Sequence, residues 1–188
     1  PFQTNHQLRM GRTLDIIEEE KALTLERIRT SADWHYPGLE LGCRIGAWTD
    51  ALIGCDPLYI VDMDQQFIDK TIEQFPPVYK GRLGKYVIPE LPGPHARPLS
   101  VLPQGQMGFI FSWEWFNYLG FTTTKHCLEE CFQLLRPGGT MLFSYNDGDE
   151  PNGAAYVDSH FQSYLPRSKL VPMCQAIGFE VVKTDRKS

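Results

Sequence analysis

The stretch Leu39-Glu40-Leu41-Gly42-Cys43-Arg44-Ile45-Gly46-Ala47-Trp48-Thr49 decides how this chain is read. An apolar run ends near a carboxylate, two glycines four positions apart follow, and a helix-compatible segment begins. A strand that stops at a glycine-containing turn and hands over to a helix lets the backbone approach a ligand closely. About sixteen residues further on, Leu58-Tyr59-Ile60-Val61-Asp62 is a second short apolar run that ends in a carboxylate. The pair reads as a nucleoside-binding crevice in a doubly wound α/β domain.

Working outward, strands alternate with helices. Strands are expected at 38–42, 58–62, 86–88, 108–112, 140–145 and 179–182. Helices are expected at 46–54, 65–74, 122–135 and 167–177. Asp64 is a plausible N-cap and Pro76-Pro77 a stop. Arg136-Pro137-Gly138-Gly139 reads as a tight turn, and Gly178 as a helix C-cap. Residues 89–106, rich in proline, and 146–166 read as irregular segments. Alternation of this kind implies parallel pairing with right-handed crossovers and helices on both faces. Upstream, 13–30 reads as a helix with a narrow apolar stripe. Residues 1–35 are therefore set apart from a domain at 36–188. The helix is expected either to pack on that domain or to lead in from an upstream partner.

Composition bounds the function. The 188 residues suit one domain with a full core, and 42% hydrophobic residues argue against disorder. A net charge of −5 disfavours nonspecific phosphate binding, which weighs against nucleic acid. No run approaches the roughly 20 apolar residues that span a bilayer, and no leader peptide is visible. Cys43, Cys55, Cys127, Cys131 and Cys174 are odd in number and scattered, as expected of reduced thiols in a cytoplasmic protein. His126, Cys127 and Cys131 lack further ligands at a usual spacing, so no metal site is expected. The first residue is Pro1, which reads as a processed chain or an excerpt of a longer polypeptide or assembly.

Asp62 is the strongest single residue. A carboxylate after the second strand can accept from both ribose hydroxyls, whereas Asp64 suits helix capping. Glu40 reads either as a charged strand end or as a carboxylate turned to a ligand. Gly-x-Gly-x-x-Gly of nicotinamide dehydrogenases is not matched, because Arg44 and Ala47 stand at its second and third glycines.

The segments Leu39–Gly46, Tyr59–Asp62, Gly108–Leu119 and Leu134–Tyr145 together resemble class I S-adenosylmethionine-dependent methyltransferases. Leu134-Leu135-Arg136-Pro137-Gly138-Gly139-Thr140 looks like that family's turn into its fifth strand. Met173–Val182 looks like its last helix-strand unit. The resemblance covers roughly residues 36–183. It implies a Rossmann-like methyltransferase fold with a mostly parallel sheet, and S-adenosylmethionine as cofactor. It places Glu40, Gly42, Cys43 and Gly46 near the methionine part, Asp62 on the ribose and Met63 against the adenine. Ser112 and Trp113 fall beside the methyl end. Three departures stand out. Arg44 replaces a usual glycine, which narrows the pocket unless the side chain points away, and its charge needs Glu40 or another acid beside it. Gly108 replaces an acid often found at the start of the fourth strand. The seventh strand, antiparallel to the sixth, is missing.

Methyl transfer needs a base only where the acceptor must lose a proton. Candidates after the fourth strand are Trp113, Glu114, Asn117 and Tyr118, with Tyr145, Asn146, Asp147, Tyr156 and His160 after the fifth. Glu114, Tyr118 and His160 are the expected catalytic residues, His160 because imidazole titrates near neutrality. Trp113 is expected to face the site and Phe116 the core. No Asn/Asp-Pro-Pro-Tyr/Phe segment and no Pro-Cys pair mark a DNA methylase. The expected activity is methyl transfer to oxygen or nitrogen of a small molecule, sugar or peptide. The alternative is a catalytically inactive methyltransferase-like domain that binds or supports a larger protein.

Overall fold

The computed structural model describes residues 21–160 and 162–184. Five parallel strands form one sheet in the order β3-β2-β1-β4-β5. They are β1 (Gly38–Leu41), β2 (Leu58–Asp62), β3 (Leu83–Val87), β4 (Met107–Ser112) and β5 (Leu135–Phe143). The helices are α1 (21–31), α2 (Thr49–Leu52), α3 (Gln65–Glu73), α4 (Pro77–Lys80), α5 (Phe121–Leu134), α6 (Pro151–His160) and α7 (Arg167–Ile177). The chain starts at the centre, runs outward to β3, then returns to place β4 beside β1. That reversal of strand order opens a crevice beyond the carboxyl ends of β1 and β4.

Strand residues alternate between two cores, one on each sheet face. Leu39, Leu41, Val61 and Ile110 pack with Cys127, Leu128, Cys131 and Leu134 of α5 and Leu170 of α7. Leu58, Ile60, Phe109 and Phe111 pack with Ile28 of α1, Leu52 of α2, and Ile68 and Ile72 of α3. Helices on both faces are what the doubly wound reading requires. Ile28 is fully buried, so the described part of α1 docks on this domain; residues 13–20 of the expected helix lie outside the described residues. All five cysteines are buried and free. No described helix is long and apolar enough to cross a membrane.

Several boundaries differ from the sequence reading. Residues 44–48 are turn, which leaves α2 a single turn at Thr49–Leu52 instead of a helix from 46 to 54. β3 begins at Leu83, ahead of the strand expected at 86–88. Arg136-Pro137-Gly138-Gly139 falls within β5, as a bulge in its pairing with β4, rather than ahead of the strand. Met107 pairs with Leu135 and Phe109 with Thr140, and Gly138 takes φ 76° to close the excursion. The segment 146–166 holds α6, whose Pro151 is suited to a first helical position. Residues 179–182 form no strand. Phe179 turns edge-on to Phe132 of α5, at 5.0 Å between centroids, and Val182 stands 87% exposed. Among the described residues the sheet therefore ends at β5, with neither a sixth nor a seventh strand.

Gly108 has a steric reason. A Cβ there would lie 2.6 Å from Tyr36 Cβ, and the Tyr36 ring carries the Arg136 guanidinium at 4.0 Å. An acid at this position would displace that stack.

Candidate functional site

A cavity of about 280 Å³ sits at the carboxyl ends of β1, β2 and β4. Its walls are Gly42 and Arg44 after β1, Asp62 and Met63 at the end of β2, Leu91, and the run Trp113, Glu114, Trp115, Tyr118 and Leu119 after β4. A second concavity of about 310 Å³, between α5 and α7, is lined by Arg97, Glu129, Phe132, Gln133, Ala176 and Ile177. It lies along the C-terminal half of α5 and includes none of the strand ends.

The glycine bend is built by backbone geometry. Gly42 takes φ 80°, a left-handed conformation that costs glycine nothing, and a Cβ there would lie 2.7 Å from Trp115 Cε3. Arg44 takes φ 50° and Glu114 φ 61°, conformations that cost a non-glycine residue on the order of 1–3 kcal/mol. Two strained residues thus face each other from different loops, and their side chains meet: Arg44 Nη1 donates to Glu114 Oε2 at 2.5 Å. Glu114 is held from behind, its backbone N–H donating to Ser144 Oγ at 2.7 Å.

Asp62 organises the bend. One carboxylate oxygen accepts from the backbone N–H groups of Met63 at 2.7 Å and Asp64 at 3.1 Å; the other accepts from the Arg44 N–H at 3.0 Å. A carboxylate offers about four acceptor positions. The Cys43 Sγ also lies 3.9 Å from the oxygen that accepts from Arg44, so three backbone N–H groups and a thiol surround the carboxylate. Asp64 caps α3, accepting from the Gln66 N–H at 2.8 Å.

Gly42, Asp62, Met63, Trp113, Glu114 and Tyr118 are brought together on the cavity wall. Glu40, Cys43, Gly46 and Ser112 do not line it. Glu40 is 2% exposed, on the sheet face covered by α2, where its carboxyl accepts from Thr49 Oγ1 at 2.5 Å. Burial pushes its pKa up to about 8, opposed by the Thr49 hydrogen bond and aided by the Asp62 charge. The Arg44 guanidinium pairs with Glu114 and not with Glu40. Burial, with Glu40 behind it, pushes the Cys43 thiol up to about 12, which removes it as a thiolate nucleophile. Ser112 is fully buried and donates to the Leu41 carbonyl at 3.0 Å, tying β4 to β1. Trp113 is backed by Trp48 at 4.9 Å and Phe111 at 6.5 Å, while Phe116 is buried in the core.

Of the proton-transfer candidates, Tyr118 is exposed at the rim and its hydroxyl accepts from Gln162 Nε2 at 3.3 Å. Asn146 in turn donates to Gln162 Oε1 at 2.6 Å. Asp147 is occupied by the backbone N–H groups of Asp149 and Arg167. Burial pushes Tyr145 up to about 12. His160 ends α6; its side chain, like that of Tyr156, lies outside the described residues. Leu91 and Leu119 on the wall carry no signal in sequence beyond being apolar.

The buried Glu40 sets a pH dependence of stability. The folded state binds its proton more tightly than the unfolded chain, so stability falls as pH rises from about 4.5 to about 8 and then levels off. Glu40→Gln keeps an acceptor for Thr49 and carries no charge. Urea unfolding across pH 5–9 is expected to show a loss on the order of 2–4 kcal/mol in the parent, flattened in this variant.

The fold is that of class I S-adenosylmethionine-dependent methyltransferases. Geranyl diphosphate C-methyltransferase from Streptomyces coelicolor A3(2), solved with S-adenosyl-L-homocysteine, matches with a TM-score of 0.66 at 12% identity, over 85% of this chain and 60% of that one. The Haloferax volcanii protein solved with the Trm112 methyltransferase activator gives 0.67 at 18%, over 93% and 75%. N-methyltransferase NodS from Bradyrhizobium japonicum WM9 gives 0.61 at 18%, over 85% and 74%. At such identities the likeness is one of fold. This chain spans less than two thirds of two geranyl diphosphate methyltransferases, 60% and 63% of their lengths. No protein-family model and no curated protein matches the chain.

Proposed function

We propose that the cavity beyond β1 and β4 holds S-adenosylmethionine, and that the protein transfers its methyl group to oxygen or nitrogen of a small molecule, sugar or peptide. The observation that carries this reading is the convergence, in one cavity at the switch point of this fold, of the Gly42 bend, the Asp62 carboxylate and the Trp113–Trp115 wall. The residues fit the group. Gly42 lets backbone come close, Asp62 presents a carboxylate on the wall to a sugar hydroxyl, and the half-exposed Met63 offers an apolar contact for a base. When bound, S-adenosylmethionine supplies an electrophilic methyl on a cationic sulfur. The protein's part is to align and to exclude water, which accounts for several kcal/mol of such a reaction. Trp113, Trp115, Leu91 and Leu119 form the dry wall. Glu114 and Tyr118 stand at the rim, where a hydroxyl or amine of an acceptor would give up its proton.

A second reading, a binding module without turnover, is favoured by one observation: Arg44 stands on the wall itself and holds Glu114. Calorimetric titration with S-adenosylmethionine and S-adenosylhomocysteine separates the two. Micromolar dissociation constants, together with formation of S-adenosylhomocysteine when an acceptor mixture is added, support the enzyme. No measurable binding of either ligand sinks it.

A further inference from the structure

Arg44 is the only basic side chain on the cavity wall among the described residues, and it stands where the resembled family has glycine. Its backbone is fixed to Asp62 at 3.0 Å, so the side chain departs from the point where the sugar carboxylate sits. Its guanidinium is spent on Glu114, yet the pair is open to solvent on one side, with Arg44 55% and Glu114 36% exposed. An ion pair this exposed is weakly held and readily exchanged. The wall carries Arg44, Asp62 and Glu114, a net charge of −1. S-adenosylmethionine carries a sulfonium, an ammonium and a carboxylate, a net charge of +1. If Arg44 kept Glu114, the ligand's carboxylate would enter a cavity whose one cation is taken and whose remaining charge is negative. If Arg44 changes partner, every charge is matched.

We propose that Arg44 is the anchor for the ligand's amino-acid carboxylate: on binding, the guanidinium leaves Glu114 for that carboxylate, and the freed Glu114 turns to the cationic part of the ligand and to the acceptor. The inference rests on the cavity being an adenosyl-ligand site. It makes the residue that departs from the family a working part of the pocket rather than an obstruction. It also explains why two strained residues are kept opposite one another: the pair closes the empty site with groups that the ligand itself separates.

The test is calorimetry on the full chain with S-adenosylhomocysteine and with its decarboxylated form, which keeps the adenosine, thioether and amine. The parent is expected to prefer the carboxylate-bearing ligand about tenfold or more, as for a hydrogen bond to a charged partner. Arg44→Gly should abolish the preference, with S-adenosylhomocysteine falling to the level of the decarboxylated ligand. Glycine relaxes φ 50° there, so this variant should fold, checked by circular dichroism and melting temperature. Glu114→Gln removes the competitor for Arg44 and also the acid that meets the ammonium of both ligands, so its readout is the preference and not the affinity: the preference for the carboxylate-bearing ligand should persist or grow. Three results overturn the proposal while leaving the cofactor reading intact: an undiminished preference in Arg44→Gly, tighter S-adenosylhomocysteine binding in Arg44→Gly than in the parent, or loss of the preference in Glu114→Gln. A parent protein that binds neither ligand removes the cofactor reading, and the anchor with it.

Discussion

Asp62→Ala is expected to weaken S-adenosylhomocysteine binding roughly a hundredfold or more, and to lower the melting temperature as well. The first effect has two sources. The direct one is the loss of the charged acceptor for a ribose hydroxyl, a bond of about 1.5–3 kcal/mol. The indirect one is larger in consequence, because the same carboxylate fixes the N–H groups of Arg44, Met63 and Asp64. Without it the bend carrying Gly42 and Arg44 is no longer joined to the end of β2. Three N–H groups losing a 5%-exposed partner gives a destabilisation on the order of 2–4 kcal/mol, or roughly 5–15 °C for a chain of this size. Asp62→Asn is the sharper probe. One carboxylate oxygen faces two backbone donors and the other faces the Arg44 N–H, so an amide must point its NH₂ at one of them. The cheaper arrangement points it at Arg44, which releases the bend while preserving the start of α3. The Asp62→Asn variant should therefore lose most of the ligand affinity at a smaller cost in stability. Titrations at about 15 °C, well below the unfolding transition of a typical domain, separate affinity from folding. Binding within threefold of the parent in Asp62→Ala would show that this carboxylate does not hold the sugar.

The fold is legible because its signals are local. Apolar runs of strand length, each closed by a carboxylate or a glycine, mark β1 and β2, and the switch point follows from the order in which they are joined. Asp62 and Gly42 stand out by their place relative to those runs. The parts that mislead are those decided by partners far off in the chain. Phe179-Glu180-Val181-Val182 has strand composition, but a strand needs a neighbour, and here the aromatic ring finds Phe132 instead. Residues 151–160 read as irregular when proline and glycine are weighed as breakers, although proline at a helix start breaks nothing. Glu40 points toward a ligand on the strength of its position at a strand end. It pairs instead with Thr49, nine residues on, on the face covered by α2, where burial raises its pKa. The Arg44–Glu114 contact joins residues 70 positions apart, and nothing in either neighbourhood announces it. Sequence identifies Arg44 as a charge in need of Glu40 or another acid; the structure supplies Glu114.

Gly42→Val should be the most damaging single change to the site's framework. At φ 80° a β-branched residue meets its own backbone, which costs about 1–2 kcal/mol, and the added Cβ alone would lie 2.7 Å from the Trp115 ring and 3.3 Å from its Cβ. Trp115 packs against the core under β1 and β4, so the ring cannot swing away without opening that core. Overpacking of this kind adds about 1–3 kcal/mol. The sum predicts a melting temperature lower by roughly 5–20 °C and loss of adenosyl-ligand binding, since the same atoms would fill the cavity. A double-mutant cycle tells the two costs apart. In Gly42→Ala, combined with Trp115→Leu, the steric part is relieved and the backbone part is not. The pair should thus be less destabilised than the sum of its singles, by about 1–2 kcal/mol. Strict additivity in that cycle would mean that Trp115 does not press on the bend. Position 42 would then need glycine for its backbone conformation alone.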